Sequence, residues 1–113
     1  MKKQTYYKAI ISDKRKRYPN NIGFEKGEGY IFETNDKKGY PIKIALEYIH
    51  GHWLATEVTT GCSVPYRAEL KRKEEIIEAI RDYDFASILY SPDKQLLALK
   101  LSEHIESEDN IQL

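Results

Sequence analysis

The sequence predicts an α+β fold: a small antiparallel β-sheet of about five strands with one amphipathic helix packed across a face. Three observations carry this expectation. Ile42, Ile44, Leu46 and Tyr48 alternate with Lys43, Ala45, Glu47 and Ile49, the pattern of a strand with one buried face. His50-Gly51 separates this run from a second one, His52 to Thr60, that is rich in β-branched residues. An X-Gly connection of this kind is a hairpin signal, because glycine tolerates the positive φ of a primed turn. Finally, Ile76, Ile77, Ile80 and Tyr83 recur at helical spacing within Arg72–Tyr83, with Lys71, Glu74, Glu75, Glu78, Arg81 and Asp82 on the other face.

Taken in order, Thr5–Ser12 is dense in aromatic and β-branched residues and reads as the first strand. Asp13–Asn21 is charged and ends in Pro19-Asn20-Asn21, so it reads as an exposed loop. The glycines of Gly23–Gly29 extend that loop, and Tyr30–Thr34 is a short strand closed by a turn at Asn35–Gly39. Pro41–Thr60 is the hairpin. Gly61 ends it, and Cys62–Tyr66 is a short edge piece in which Pro65 is tolerable. Ile88–Leu101 admits two readings. Ser91-Pro92 suits a turn and Leu97, Leu99 and Leu101 alternate, which favours a second hairpin. Alternatively, Ser91 caps a helix that begins at Pro92 and runs through His104. The hairpin is the expectation adopted. The faces of Ile42–Tyr48 and Ile76–Tyr83 are expected to meet in the core near Trp53, with Tyr7 and Tyr48 as core tyrosines.

Length and composition bound the rest. A chain of 113 residues fits one domain; residues 1–105 are expected to form it, and the acidic stretch 106–113 to fray. Cys62 is the single cysteine, which excludes an intrachain disulfide and a Cys-rich zinc site and suits a reducing cytoplasm. Lys2-Lys3 resembles a signal-peptide opening, but Lys8 and Asp13 interrupt any apolar run of about 7–15 residues. Nothing approaches the roughly 18 apolar residues of a membrane span. The expectation is a cytoplasmic protein with no membrane partner.

The zero net charge, 18 Lys and Arg against 18 Asp and Glu, excludes a duplex-coating protein or an acidic DNA mimic for the chain as a whole. It hides an asymmetry. Residues 1–50 hold 11 cations and 6 acids, and residues 51–113 hold 7 and 12. If the two halves segregate, a basic face around Lys14-Arg15-Lys16-Arg17-Tyr18 opposes an acidic one around Glu74, Glu75, Glu78 and Asp82, and such a surface steers association with charged partners. These nine residues are the candidate partner-binding residues. The basic run next to a tyrosine also suits a nucleic-acid strand, with cations on phosphates and a ring against a base.

Catalytic signatures are weak. His50-x-His52 flanks a turn, and a metal site needs three or four converging ligands, for which Glu57, Cys62 and His104 are the remaining candidates. Cys62 with His50 or His52 as base lacks a surrounding signature for an activated thiol. Gly23-x-x-x-Gly27-x-Gly29 is followed by Tyr30-Ile31 rather than by the Lys-Ser/Thr of a phosphate-binding loop. No catalytic residue, metal or cofactor is expected. Nine tyrosines favour protein binding, since tyrosine joins area, rigidity and a polar tip; Tyr18, Tyr30, Tyr40 and Tyr66 lie in or near loops.

Gly51-His52-Trp53-Leu54-Ala55-Thr56-Glu57-Val58-Thr59-Thr60-Gly61, followed by Lys71-Arg72-Lys73-Glu74-Glu75-Ile76-Ile77-Glu78-Ala79-Ile80, resembles a pattern in small accessory proteins of phages and conjugative elements of low-GC Gram-positive bacteria. In these a Trp-bearing strand with a Thr-Gly ending precedes a Lys/Glu-rich helix. The resemblance carries no catalytic residue across. It implies a mobile-element setting, in which small proteins bind and block host defence machinery, anti-CRISPR proteins among them. The expected function is therefore that of a non-enzymatic interaction protein that binds a host protein or nuclease complex. The alternatives are a nucleic-acid-binding module using Lys14–Tyr18, and a small metal or thiol enzyme around His50, His52 and Cys62.

Overall fold

A computed structural model describes residues 2–66 and 69–111. They form β1 (Gln4–Ile11), β2 (Ile22–Asn35), β3 (Pro41–Ile49), β4 (His52–Glu57), β5 (Cys62–Ser63), α1 (Lys73–Ile80), α2 (Phe85–Leu89) and α3 (Pro92–Ile111). The strands make one five-stranded antiparallel meander in sequence order. The α+β class and the strand number match the sequence expectation, but three helices appear among the described residues where one was expected.

The sheet curls, and its curl explains the largest difference along the strands. Gly23–Gly29 is not loop but the first half of β2, paired with β1 from Ile11↔Ile22 to Gln4↔Gly29. The second half, from Tyr30, pairs with β3. Gly27 and Gly29 share the inner face of this long strand, and there the backbone of β3 comes very close. A Cβ on Gly29 would lie 2.5 Å from the Leu46 carbonyl oxygen, and one on Gly27 would meet the Tyr6 ring at 3.0 Å. The glycines therefore admit close approach inside a strand rather than marking a loop. The Ala9 amide donates to the Gly61 carbonyl at 2.8 Å, which draws β1 back toward the β4–β5 turn.

The Pro41–Thr60 hairpin forms as predicted, up to the end of β4. His50 (φ 51°) and Gly51 (φ 83°) occupy the two-residue connection with the positive φ values of a primed turn. After Glu57 the chain leaves the strand. The buried Glu57 carboxylate accepts from the Thr59 amide at 2.8 Å, the Thr60 amide at 3.0 Å and the Thr60 hydroxyl at 3.0 Å, which holds Val58–Gly61 in a turn. Of the expected edge piece Cys62–Tyr66, only Cys62–Ser63 forms a strand, paired with β4.

On the outer face, Ile42, Ile44 and Leu46 of β3 pack with Ala55, Val64, Phe85 and the Ile76 and Ile80 stripe of α1. This is the predicted meeting of strand and helix, with Trp53 packed at its margin. The tyrosine expectation fails in part. Tyr6 is the buried ring, Tyr7 is only half-buried, and Tyr48 is 61% exposed because it lies at the hairpin tip beyond the core cluster.

The expected second hairpin at Ile88–Leu101 is helix instead. Phe85–Leu89 forms α2, whose N-cap Asp84 accepts from the Ser87 amide at 3.3 Å. Ser91 precedes α3 and its hydroxyl accepts from the Lys94 amide at 3.4 Å, with Pro92 first in the helix. Leu97 and Leu101, four apart, are buried, whereas Leu99 is 56% exposed. The alternation that suggested strands thus mixes one helix face with another. The helix continues to Ile111, within the stretch 106–113 expected to fray; residues 112 and 113 of that stretch lie outside the described residues. Its face includes His104, edge-on to Tyr7 and tilted against Phe24, and Glu108, which accepts from the Tyr7 hydroxyl and pairs with Lys26 at 3.2 Å. These contacts lay α3 along the β1–β2 hairpin.

Asp36 joins sheet and helices in a way the sequence does not announce. It is buried, and it accepts from the amides of Lys38 (3.0 Å), Tyr40 (2.8 Å) and Phe85 (3.2 Å), fixing the β2–β3 turn to the start of α2. Asp36→Ala leaves the buried Phe85 amide and the less buried Lys38 and Tyr40 amides without this acceptor, and a loss of about 2 kcal/mol is expected in urea unfolding. A change below about 0.5 kcal/mol contradicts the assigned role.

Candidate functional site: an exposed aromatic ridge

The outer face of the sheet is covered by α1 and α2 at one end and by α3 at the other. Between them lies an aromatic group in which Tyr48 is exposed and Tyr30, Trp53 and Tyr66 are half-buried. Tyr48 and Trp53 are register partners across β3 and β4, so they share a face. Their rings lie 5.2 Å apart, tilted by 60°. Tyr30, on the same face of β2, lies 6.5 Å from Trp53. Tyr66 donates its hydroxyl to the Trp53 carbonyl, and burial pushes its pKa up. The ammonium of Lys73, first residue of α1, stands 4.1 Å from the Tyr30 ring centre and 5.6 Å from that of Trp53.

Two recesses flank the Tyr48–Trp53 pair. One, of about 440 Å³, is bounded by Gly51, His52, Tyr66, Leu70 and Lys71. The other, of about 360 Å³, is bounded by Lys3, Glu28, Gly29, Tyr30 and Glu47. Both include Tyr48 and Trp53, so the two rings form the ridge between them.

A polar network inside the curl supports the second recess. The Tyr6 hydroxyl donates to Glu47 Oε1 at 2.7 Å, Lys8 Nζ donates to the same oxygen at 3.2 Å, and the Glu28 amide donates to Oε2 at 3.2 Å. Burial, then the bond to Glu47 and its charge, raise the Tyr6 phenol far above its usual range. For Glu47, burial pushes the pKa up, but the bonds from Tyr6, Glu28 and Lys8 and the Lys8 charge outweigh it and lower the pKa below the usual carboxylate value. The sign follows from linkage: a depressed folded-state pKa gives stability that is present above the unfolded value, about 4.3, and lost as pH falls through the folded value. Thermal melts of Glu47→Gln are therefore expected to lose less stability than wild type on acidification from pH 5 to about pH 3. Parallel pH profiles contradict this.

The residues singled out from sequence fall in separate places. Lys14, Arg15, Lys16 and Arg17 are exposed in the β1–β2 connection, at the far end of that hairpin from Gln4 and Gly29. Arg15 pairs with Asp13 at 3.2 Å, and the Tyr18 hydroxyl donates to the Asp93 carbonyl at the start of α3. Glu74, Glu75, Glu78 and Asp82 are exposed along α1 and just beyond it; Glu78 pairs with Arg81 at 2.9 Å and Asp82 with Lys37. His50 and His52 sit at the hairpin tip, whereas Cys62 pairs with Glu57 at the other end of β4, about 17 Å away along a strand. The structure does not bring these three together. Among the described residues no three His, Cys, Asp or Glu side chains converge as metal ligands. Cys62 instead accepts from Lys94 Nζ at 3.2 Å.

The charge asymmetry between the halves has a structural use. Lys26–Glu108 (3.2 Å), Lys37–Asp82 and Lys38–Asp84 (2.7 Å) each join a cation of the strand half to an acid of the helical half. Pairing with Lys38, then the bonds from Ser87, lower the Asp84 pKa. The excess charges thus partly meet across the docking of helices on sheet.

The ridge was missed as a unit from the sequence. Its signals were present: Tyr48 is the last outward residue of the alternation, and Trp53 faces it across the two-residue turn. No helix among the described residues is long and apolar enough to cross a membrane. Comparison of the chain with protein-family models, curated proteins and solved structures finds no match.

Proposed function

We propose that the chain is a non-enzymatic interaction protein that docks on a host macromolecular complex through the Tyr30–Tyr48–Trp53 ridge. The observation that carries this reading is the ridge itself, with Tyr48 exposed and Tyr30 and Trp53 half-buried beside it. Tyr and Trp dominate the energetic centres of interfaces because they bring large area with few rotamers to order. The resemblance of Gly51–Gly61 and Lys71–Ile80 to mobile-element accessory proteins supports inhibition of a host defence nuclease, anti-CRISPR-like, as the biological setting.

The test is affinity capture from a Gram-positive host lysate with wild type and Tyr48→Ala in parallel. A discrete component retained by the first and lost by the second supports the reading. Identical retention by both contradicts it. Because Tyr48 is exposed, its replacement is expected to leave stability within about 0.5 kcal/mol of wild type.

A second reading is favoured by one observation. The loop carrying Lys14, Arg15, Lys16 and Arg17 is exposed yet anchored, by the Ser12 amide on the Asn21 carbonyl (2.8 Å), the Asn20 amide on the Arg17 carbonyl (2.8 Å) and the Tyr18 bond to α3. A held loop with four exposed cations suits a phosphate backbone.

A further inference from the structure

We infer that the ridge binds single-stranded nucleic acid, with a base stacked on the exposed Tyr48 ring beside the half-buried Trp53 and phosphates held by Lys3 and Lys71. The inference rests on the ridge being the partner surface and names the chemistry it meets.

Three features point this way. The first is the division of the surface. Two recesses of about 440 and 360 Å³ share the Tyr48–Trp53 wall, so a flexible strand crossing the wall places neighbouring bases on either side of it. Stacking of this kind needs no particular base, because every base has a π-face.

The second is charge. Lys71 bounds one recess and Lys3 the other, so each side of the wall has a cation for the phosphate that follows the stacked base. Arg72 and Lys73 continue the cationic run. Glu47, in the second recess, already accepts from Tyr6, Lys8 and the Glu28 backbone, so its charge is compensated internally. Glu28 is the acid that remains at that recess.

The third is the need for an unpaired strand. Bases within a duplex are stacked on one another and cannot offer a face to Tyr48 and Trp53 without being flipped out. The ridge therefore discriminates single strands from duplexes by access alone.

Trp53 is the sole tryptophan, so its fluorescence reports on the ridge directly. The probe is a 12-nucleotide oligothymidylate, compared with its RNA counterpart and with a 12-base-pair duplex, titrated between about 50 and 200 mM salt. Binding is expected to quench Trp53, to favour single strands over duplex, and to weaken with salt at a log–log slope of about −1.4 for two phosphate contacts. Tyr48→Ala is expected to weaken binding about tenfold, and the Lys3→Ala/Lys71→Ala double variant to flatten the salt slope, with circular dichroism confirming that each is folded.

The inference is overturned by the absence of binding to either single strand at low salt. Equal affinity for the duplex, or undiminished binding by Tyr48→Ala, also overturns it. If neither oligonucleotide binds but Tyr48→Ala still loses a captured protein, the ridge is a protein-binding surface and only this inference falls. If oligonucleotides bind wild type and Tyr48→Ala equally but not a variant with Lys14, Arg15, Lys16 and Arg17 replaced by Ala, the nucleic-acid site lies on the basic loop and the inference is wrong.

Discussion

Ile80→Asp is expected to abolish cooperative folding. Ile80 is fully buried and packs in the cluster that joins β3 to α1 and α2. Losing the isoleucine removes roughly 2–3 kcal/mol of apolar transfer, and a carboxylate placed there without a partner costs several kcal/mol more. Together these approach the whole stability of a small domain, about 5–15 kcal/mol. The expected result is loss of the native far-ultraviolet circular dichroism and of a thermal transition. Ile77→Asp is the companion variant, since Ile77 is only partly buried and a smaller loss is expected there. A soluble Ile80→Asp protein that melts cooperatively near the wild-type temperature contradicts the packing described.

Gly29→Val is expected to be the next most damaging change. Its Cβ would lie 2.5 Å from the Leu46 carbonyl oxygen and 3.3 Å from the Glu47 Cβ, where backbone rather than a flexible side chain must yield. Relief requires β2 to move off β3 at the point where its pairing passes from β1 to β3, which also disturbs the Glu28 amide bond to Glu47. Overpacking of this kind costs about 3 kcal/mol. The neighbouring Glu28→Val leaves that approach intact and serves as the control. A Gly29→Val midpoint in urea equal to that of Glu28→Val would show that the tight curl of β2 against β3 is not required.

The parts of the fold legible in the sequence are those where local pattern and tertiary packing agree. The β3–β4 hairpin has a buried alternation on one side of a turn that needs positive φ, and nothing competes with it. Helix α1 has a stripe that meets that same buried face. The parts that were not legible are those where one local signal has two causes. Glycines at 23, 27 and 29 read as loop, but the requirement at Gly29 is set by Leu46, distant in sequence. Leu97, Leu99 and Leu101 fit a strand by alternation and a helix by the four-residue spacing of the outer pair. The Ser91 cap with Pro92 first in the helix, and the contact of α3 with the β1–β2 hairpin, select the helix. Tyr48 looked like core because its alternation is continuous with Leu46, and its exposure follows from where the covering helices end.

The candidate site divides in the same way. Single residues were visible, including the tyrosine-rich composition, the basic run Lys14–Arg17 and the acidic positions Glu74, Glu75, Glu78 and Asp82. What was not visible is which of them meet. The hairpin register places Tyr48 against Trp53, and the start of α1 brings Lys73 over Tyr30. The same register separates His52 from Cys62, and the docked helices place Asp82 on Lys37.

The proposed role of the ridge as partner surface is tested most directly by photo-crosslinking in cells that produce the protein. A photoreactive phenylalanine is placed at Tyr48 or, as a control, at Tyr90, which is similarly exposed but lies beyond α2. Discrete crosslinked species from position 48 and none in common from position 90 are the predicted result. Crosslinks from position 90 with none from position 48 would place the partner elsewhere on the molecule and contradict the account.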